Sequence, residues 1–183
     1  MDRETGRQLF HMAVGLIALA VFLHFGRGFA IAVAFFTIIT GTLLINLRLQ
    51  GKRIPIVLWF EKRFERKDAP LPGWGSACYA TGVLMLLATL SDVNGIAAAI
   101  FILAVGDGVS TILGRKGKIR IPYNKDKTAE GALAFFISSL PAYYFIGPLA
   151  IPLILLATLA ETLPLLEDNL VIPAACLAFF LVV

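Results

Sequence analysis

The sequence predicts an all-α fold: a polytopic transmembrane helix bundle of about seven spans with a cytoplasmic N-terminus. Three observations lead there. Of the 183 residues, 58% are hydrophobic and only 15% charged, with a mean hydropathy of +0.84; soluble domains sit nearer ~45–50% apolar and ~25% charged. The apolar residues are gathered into long runs separated by short polar breaks. Lysine and arginine fall almost entirely on one side of those runs. At this length, residues 1–183 read as one domain, without a separate regulatory unit.

A helix needs about 20 apolar residues to cross a bilayer, with ~17 a practical minimum. The first span is 9–25. Its Ala18-Leu19-Ala20 mimics a signal-cleavage site, but apolar sequence resumes after Phe25-Gly26-Arg27-Gly28, so it is expected to remain as mature helix. The second is 28–47. Ile54–Phe60 (IPIVLWF) is too short to cross and reads as an interfacial or re-entrant piece. The third span, 76–91, is entered through Pro72-Gly73-Trp74-Gly75-Ser76 and ends at the turn Ser91–Asn94, and the fourth is 94–113. Beyond a polar stretch come 131–147 and 148–161, parted at Ile146-Gly147-Pro148, and finally 170–183. The short spans suit a small bundle whose helix ends are buried in protein. Cys78 and Cys176 lie inside apolar runs and read as buried thiols, not a disulfide.

Charge fixes the expected sidedness. Arg3 and Arg7 precede span one. Arg48, Lys52, Arg53, Lys62, Arg63, Arg66 and Lys67 separate spans two and three, and Arg115, Lys116, Lys118, Arg120, Lys125 and Lys127 separate spans four and five. Only Arg27 falls on the other face. The positive-inside rule makes the basic face cytoplasmic, and seven crossings are needed to keep it so. Basic loops also contact anionic membrane lipids.

The acids need a different account. Asp107 lies seven residues before Gly114, so in a continuous helix it sits ~10 Å inside that end. An intramembrane carboxylate points to a wet cavity or a cation. Asp107, Ser110, Thr111 and Gly114 share one helical face, and Gly106 and Gly108 beside the acid permit a close approach or a broken helix. Glu4, Arg7 and His11 share a face of the first span, whereas His24 lies at its outer end. Lys127 to Gly131 opens span five, where helix amides favour an anion. Glu167, Asp168 and Asn169 precede the last span and its Pro173. These clusters converge on one membrane face. Acids suited to Mg²⁺ and basic groups suited to phosphates together point to a nucleotide or pyrophosphate handled beside a lipid-accessible cavity. There is no Gly-x-x-x-x-Gly-Lys-Ser/Thr loop, no His-Glu-x-x-His pair and no Gly-x-Ser-x-Gly turn.

Four motifs in order carry a resemblance. Arg7-Gln8-Leu9-Phe10-His11 resembles an Arg-Lys-x-x-His pattern, with glutamine in place of the lysine. Gly106-Asp107-Gly108-Val109-Ser110-Thr111-Ile112-Leu113-Gly114 matches Gly-Asp-x-x-Ala/Ser-x-x-x-Gly. Lys127-Thr128-Ala129-Glu130-Gly131 matches Lys-Thr/Ser-x-Glu-Gly, and Asp168-Asn169-Leu170-Val171-Ile172-Pro173 matches Asp-Asn-x-x-x-Pro. Over nearly the whole chain the sequence resembles the polyprenol kinase family of dolichol kinase, phytol kinase and CTP-dependent diacylglycerol kinase.

The resemblance implies transfer of the γ-phosphate of a nucleoside triphosphate, typically CTP, to a lipid alcohol, on the cytoplasmic face of an integral membrane protein with no nucleic-acid partner. It implies Mg²⁺ on Asp107, with Asp168 or Glu130, and either Asp168 or His11 as base. Arg7, Ser110, Gly114, Arg115, Lys116, Lys127, Thr128, Glu130, Gly131 and Asn169 then surround the nucleotide, with the amides around Thr128 receiving a phosphate oxygen. CDP-lipid synthases share the Asp…Gly-Arg…Lys-Thr-x-Glu-Gly segment, but their later Lys-Asp…His-Gly-Gly…Asp-Arg signature has no match here. A small transporter with broken helices is a third reading. Small residues on spans three and four (Ala80, Gly82, Ala97, Ala98, Ala99) permit close packing within the chain or in a homodimer.

Overall fold

The computed structural model describes residues 2–65, 69–165 and 167–183; Arg66 and Lys67 of the basic segment lie outside them. Helix α1 (Arg3–Phe25) is capped by Asp2, whose carboxylate accepts the Thr5 N–H at 2.7 Å. It stops at Gly26, whose φ of 82° favours glycine, and α2 (Arg27–Leu49) starts at once. Ile17, Phe35 and Phe36 on these two helices are more than half exposed, as side chains facing lipid are.

The heptapeptide Ile54–Phe60 lies at the start of a short helix that does not cross. Helix α3 (Pro55–Phe64) has Pro55 at its first turn and no buried residue. It lies against the start of α1, where Phe10 stacks on Phe64 with ring centres 4.3 Å apart. The Arg3 guanidinium donates to the carbonyls of Glu61 and Glu65 at the end of α3. Arg48 near the end of α2 pairs with Glu61 at 3.1 Å.

Helix α4 (Trp74–Thr89) follows Gly73, which is left-handed at φ 76° and donates its N–H to Glu65. The centre of the bundle is α5 (Val93–Phe101), capped by Asp92. Ile96 through Ile100 are fully buried; this helix is apolar all round because protein surrounds it. Its alanines, offered by the sequence for close packing, are used inside the chain. Residues Ile102–Gly106 then widen into a π-helical turn before α6 (Asp107–Gly114).

The segment read as a basic loop contains strands. β1 (Arg120–Ile121) pairs antiparallel with β2 (Asn124–Thr128), and Ile121 is buried, which turns the hairpin back onto the protein. After it come α7 (Ala129–Ser139), the short α8 (Tyr143–Ile146) and α9 (Ala150–Thr162), joined by 3₁₀ turns. A straight 34-residue run would hold its ends ~50 Å apart, yet Lys127 and Glu161 are paired, so the run folds back on itself. Gly147, at φ 58°, and Pro148 stand at the break. Helix α10 (Asp168–Val182) closes the fold.

Four helical runs among the described residues are long and apolar enough to cross a membrane: Arg3–Phe25, Arg27–Leu49, Val93–Gly114 and Ala129–Thr162. Seven were expected. The expected spans at 76–91 and 170–183 are the shorter apolar helices α4 and α10, and those at 131–147 and 148–161 are the two limbs of one folded run.

One packing detail ties α10 to α4. Pro173 has no N–H, so the carbonyl four residues back, on Asn169, lacks its helical donor. Gly82 of α4 sits against that carbonyl, and a Cβ there would collide with the Asn169 oxygen and the Pro173 ring. The Asp-Asn-x-x-x-Pro motif therefore makes a helix contact as well as presenting polar groups. Both cysteines are buried free thiols.

Candidate active site

Asp107 opens α6, Glu161 ends α9 and Asp168 opens α10. One carboxylate oxygen from each lies within 4.8 Å of the others. Asp107 and Glu161 are buried, at 5% and 3% exposure. The Lys127 ammonium, at the end of β2, donates to Glu161 and to Asp168, the latter at 2.8 Å. Burial alone would lower the basicity of Lys127; Asp168 and Glu161 outweigh it and hold the ammonium above its ordinary value. The Ser110 hydroxyl lies 3.1 Å from Glu161 Oε1 and 3.0 Å from the Asp107 carbonyl, one turn back. Glu161 Oε2 is buried without a hydrogen-bond partner.

Three carboxylates gather around the Lys127 ammonium. An all-oxygen donor set with an orphaned carboxylate oxygen fits a hard divalent cation such as Mg²⁺. The cluster borders a polar pocket of about 1020 Å³, lined also by Thr111, Arg115, Asn124 and Asp126.

On the other side, His11 Nε2 stands 3.5 Å from Asp107 Oδ2 and 3.4 Å from the Leu103 carbonyl. The π turn places that carbonyl within one turn of the acid. The His11 ring packs edge-on against Tyr79 with centres 4.5 Å apart. His11 and Tyr79 both line a second cavity, of about 380 Å³, whose walls are the apolar faces of α1, α2 and α4. Arg7 and Glu65 line both spaces; Arg7 is paired with Glu4. A polar pocket and an apolar cavity thus meet at Arg7, with His11 and Asp107 between them.

The sequence-selected residues divide accordingly. Asp107, Asp168, Lys127, Ser110, His11 and Arg7 are brought together. Asn169 lines the apolar cavity, where its side-chain amide donates to the Gly75 carbonyl at 3.3 Å. Glu130, expected as a metal ligand, lies outside the acid cluster: it accepts the Lys118 N–H at 2.7 Å and the Ile119 N–H at 3.2 Å, tying down the turn after α6. Thr128 caps α7, and its hydroxyl already accepts the Gly131 N–H that was expected to meet a phosphate. Gly114 and Gly131 are a backbone contact between α6 and α7, so close that a Cβ on either would stand 3.0–3.2 Å from the other's Cα and crowd it. Arg115 borders the polar pocket but pairs with Asp2 at 2.9 Å, and Lys116 is exposed in the turn.

Glu161 is the residue that the sequence reading missed. It lies at the end of the apolar run Ala150–Ala160, and the rule that singled out Asp107, an acid where the membrane makes acids costly, selects it equally.

No protein-family model matches the sequence, and no solved structure does. The chain is 36% identical over 180 residues to an uncharacterized protein of Methanocaldococcus jannaschii, covering 93% of this chain and 89% of that one. It is 26% identical to the probable chloroplastic phytol kinase 1 of Glycine max, covering 97% of this chain and 66% of that protein. It is 27% identical to the probable chloroplastic phytol kinase 2 of Oryza sativa subsp. japonica, covering 94% and 64%. These plant proteins are distant homologues, and this chain spans about two thirds of their length.

Proposed function

The chain belongs to one family with the Methanocaldococcus jannaschii protein and shares distant ancestry with the probable phytol kinases, and from that premise we propose that it is a lipid-alcohol kinase. The observation that carries the proposal is the junction of two unlike spaces at a buried acid cluster, with His11 Nε2 3.5 Å from Asp107 Oδ2 at the boundary. The polar pocket takes the triphosphate of a nucleotide, with CTP the expected donor, and the apolar cavity takes the alcohol.

Asp107, Glu161 and Asp168 would hold Mg²⁺, which supplies charge neutralisation at the phosphates. Lys127, kept protonated by its two acidic partners, places a fixed positive charge at the same spot. Arg115 and the start of α7 border the pocket on its basic side. His11, oriented through Nε2 by Asp107, takes the alcohol proton at its other ring nitrogen, the logic of an acid–histidine–hydroxyl relay. The alcohol oxygen forms its bond to the γ-phosphorus as the bond to the departing nucleoside diphosphate breaks. Between the two base candidates, cavity geometry supports His11: it lines the apolar space, whereas Asp168 is held by Lys127 on the polar side.

The membrane arrangement that goes with this reading has seven crossings and a cytoplasmic site. Its support is that the starts of α1, α4, α7 and α10 and the ends of α2, α6 and α9 are linked to one another at one end of the bundle, through Arg3 and Arg48 to α3, Trp74 to Glu167, and Lys127 to Glu161 and Asp168. That end also carries the basic residues.

Incubation with γ-labelled CTP, Mg²⁺ and a panel of lipid alcohols tests the reading. Label on the alcohol supports it. Pyrophosphate release with phosphatidate, giving a CDP-lipid, would replace it with cytidylyl transfer.

A further inference from the structure

The apolar cavity has a definite depth and a definite end. Along α1 its lining runs from Arg7 through His11 to Val21, and along α4 from Trp74 to Leu87. From His11 to Val21 the helix rises ~15 Å. Below that level α1 and α2 are joined at Gly26, and the Arg27 guanidinium is bound across to α4, donating to the Leu87 carbonyl at 2.6 Å and the Ala88 carbonyl at 2.8 Å. These carbonyls close α4 without helical donors, so Arg27 is a fixed staple at the cavity's far end. The space exists because the wall residues are small there: Ala30 and Ala34, one turn apart on α2, face Ala18 of α1 and Ala80 and Val83 of α4 across it.

Its polar mouth carries an unanswered group. Asn169 donates to Gly75 through its side-chain nitrogen, while its Oδ1 is buried without a partner. A carboxamide oxygen in that state is an acceptor for a hydroxyl. An alcohol entering with its hydroxyl at His11 and Asn169 would have its tail directed toward Ala30 and Leu87.

Resting on the lipid-alcohol reading, we propose that this cavity holds the acceptor's tail as a single isoprenoid chain of about three to four units, and that Ala30, Ala34 and Leu87 determine how much chain is accommodated. An extended carbon chain advances ~1.3 Å per bond of ~1.5 Å, so ~15 Å takes about twelve backbone carbons, three isoprene units, with a fourth at the mouth. A volume of about 380 Å³ is of the size of a small-ligand site, for which ~300–1,000 Å³ is the usual range. One chain takes up the run of small wall residues, so the second acyl tail of a diacylglycerol gains no such wall, and neither does chain beyond the far end.

The test compares geraniol (C10), farnesol (C15), geranylgeraniol (C20), a C55 polyprenol and dioleoylglycerol as acceptors for the full chain in lipid nanodiscs. The wild type is expected to show its highest kcat/KM at C15–C20, with dioleoylglycerol at least tenfold poorer and no gain from C20 to C55. Ala34→Phe, which fills the middle of the cavity, should lower the C20-to-C10 ratio of kcat/KM at least tenfold; Ala34→Leu, a smaller intrusion, should lower it in the same direction. Unchanged ratios in both variants, or dioleoylglycerol turned over as well as geranylgeraniol, would overturn the assignment. Binding is read separately from the fluorescence of Trp74, which lines the cavity, in a Trp59→Phe background. A length-dependent Trp74 response without phosphorylation of any alcohol would sink the kinase reading and keep the cavity assignment. A response independent of chain length and of Ala34→Phe would sink the cavity assignment whatever the activity.

Discussion

The carbonyl of Asn169 faces the Cα of Gly82, and a methyl group between them has no room. That contact holds α10 on α4, and α10 carries Asp168 into the acid cluster as its first residue. Helix packing and site assembly are therefore one event here. Gly82→Ala should push the helices apart, with an overpacking cost of about 1–3 kcal/mol, and should weaken Asp168's contact with Lys127. Thermal unfolding in detergent and phosphotransferase rate are expected to fall together. An unchanged melting midpoint would mean that α10 yields without consequence.

Glu161→Gln removes one of three carboxylates while keeping the side chain's shape. The orphaned Oε2 position becomes an amide, and a hard cation loses an anionic ligand. Calorimetric titration should show Mg²⁺ binding weakened by about tenfold or more, and activity should drop by ~10²-fold or more, the scale of losing one electrostatic contact at a reacting centre. Asp107→Asn should behave alike. Chelation of divalent ions should silence the wild type, with recovery on adding Mg²⁺.

Glu130→Ala gives the contrasting outcome. Its carboxylate serves the N–H groups of Lys118 and Ile119 rather than the cluster. Mg²⁺ affinity should stay at the wild-type value while backbone hydrogen exchange at 117–119 accelerates. A loss of Mg²⁺ affinity comparable with that of Glu161→Gln would return Glu130 to the metal.

Asp2 gives the prediction that depends on pH. Hydrogen bonding from Thr5, through its side chain first and then its backbone N–H, with help from Arg115, lowers its carboxyl from 3.8 to about 2. A depressed acid stabilises the fold above its unfolded value and loses that contribution as pH falls through the folded one. Asp2→Ala should therefore melt below the wild type at neutral pH, and the difference should close as pH drops from about 4 to about 2. A difference that persists at the acid end would show that the contribution is not carried by charge.

His11→Ala should lower kcat by ~10²–10⁴-fold, the range for losing a general base, with a much smaller effect on Mg²⁺ binding. If Asp168 were the base, kcat would survive this substitution.

Much of this arrangement was legible in residue types. Asp107 stood out because carboxylates are costly in apolar runs, and Asp168, Lys127 and His11 because they fell at span ends on one side. The sequence underweighted what depends on three-dimensional contact. Glu161 looked like a span terminus, and only the fold-back of the Ala129–Thr162 run sets it beside Lys127. Glu130 shares a motif with Lys127, but α7 directs the two differently: Lys127 ends a strand that points at the acids, and Glu130 begins a helix whose first turn faces the loop. The glycines at 114 and 131 were expected around the nucleotide; in the fold they are a helix contact, which no spacing rule distinguishes. The two strands were invisible because β1 has only two residues and β2, Asn124–Thr128, carries no apolar residue to alternate.

The π turn at Ile102–Gly106 has a consequence for ancestry. Such a turn is an α-helix carrying one surplus residue, and each residue in a regular helix accounts for ~100° of rotation. Deleting one residue there would leave a helix as greasy and as long as before, but would swing Asp107 a quarter-turn or more away from Glu161 and Asp168. A plain membrane-spanning helix and a helix that delivers an acid to its partners thus stand one codon apart at this position.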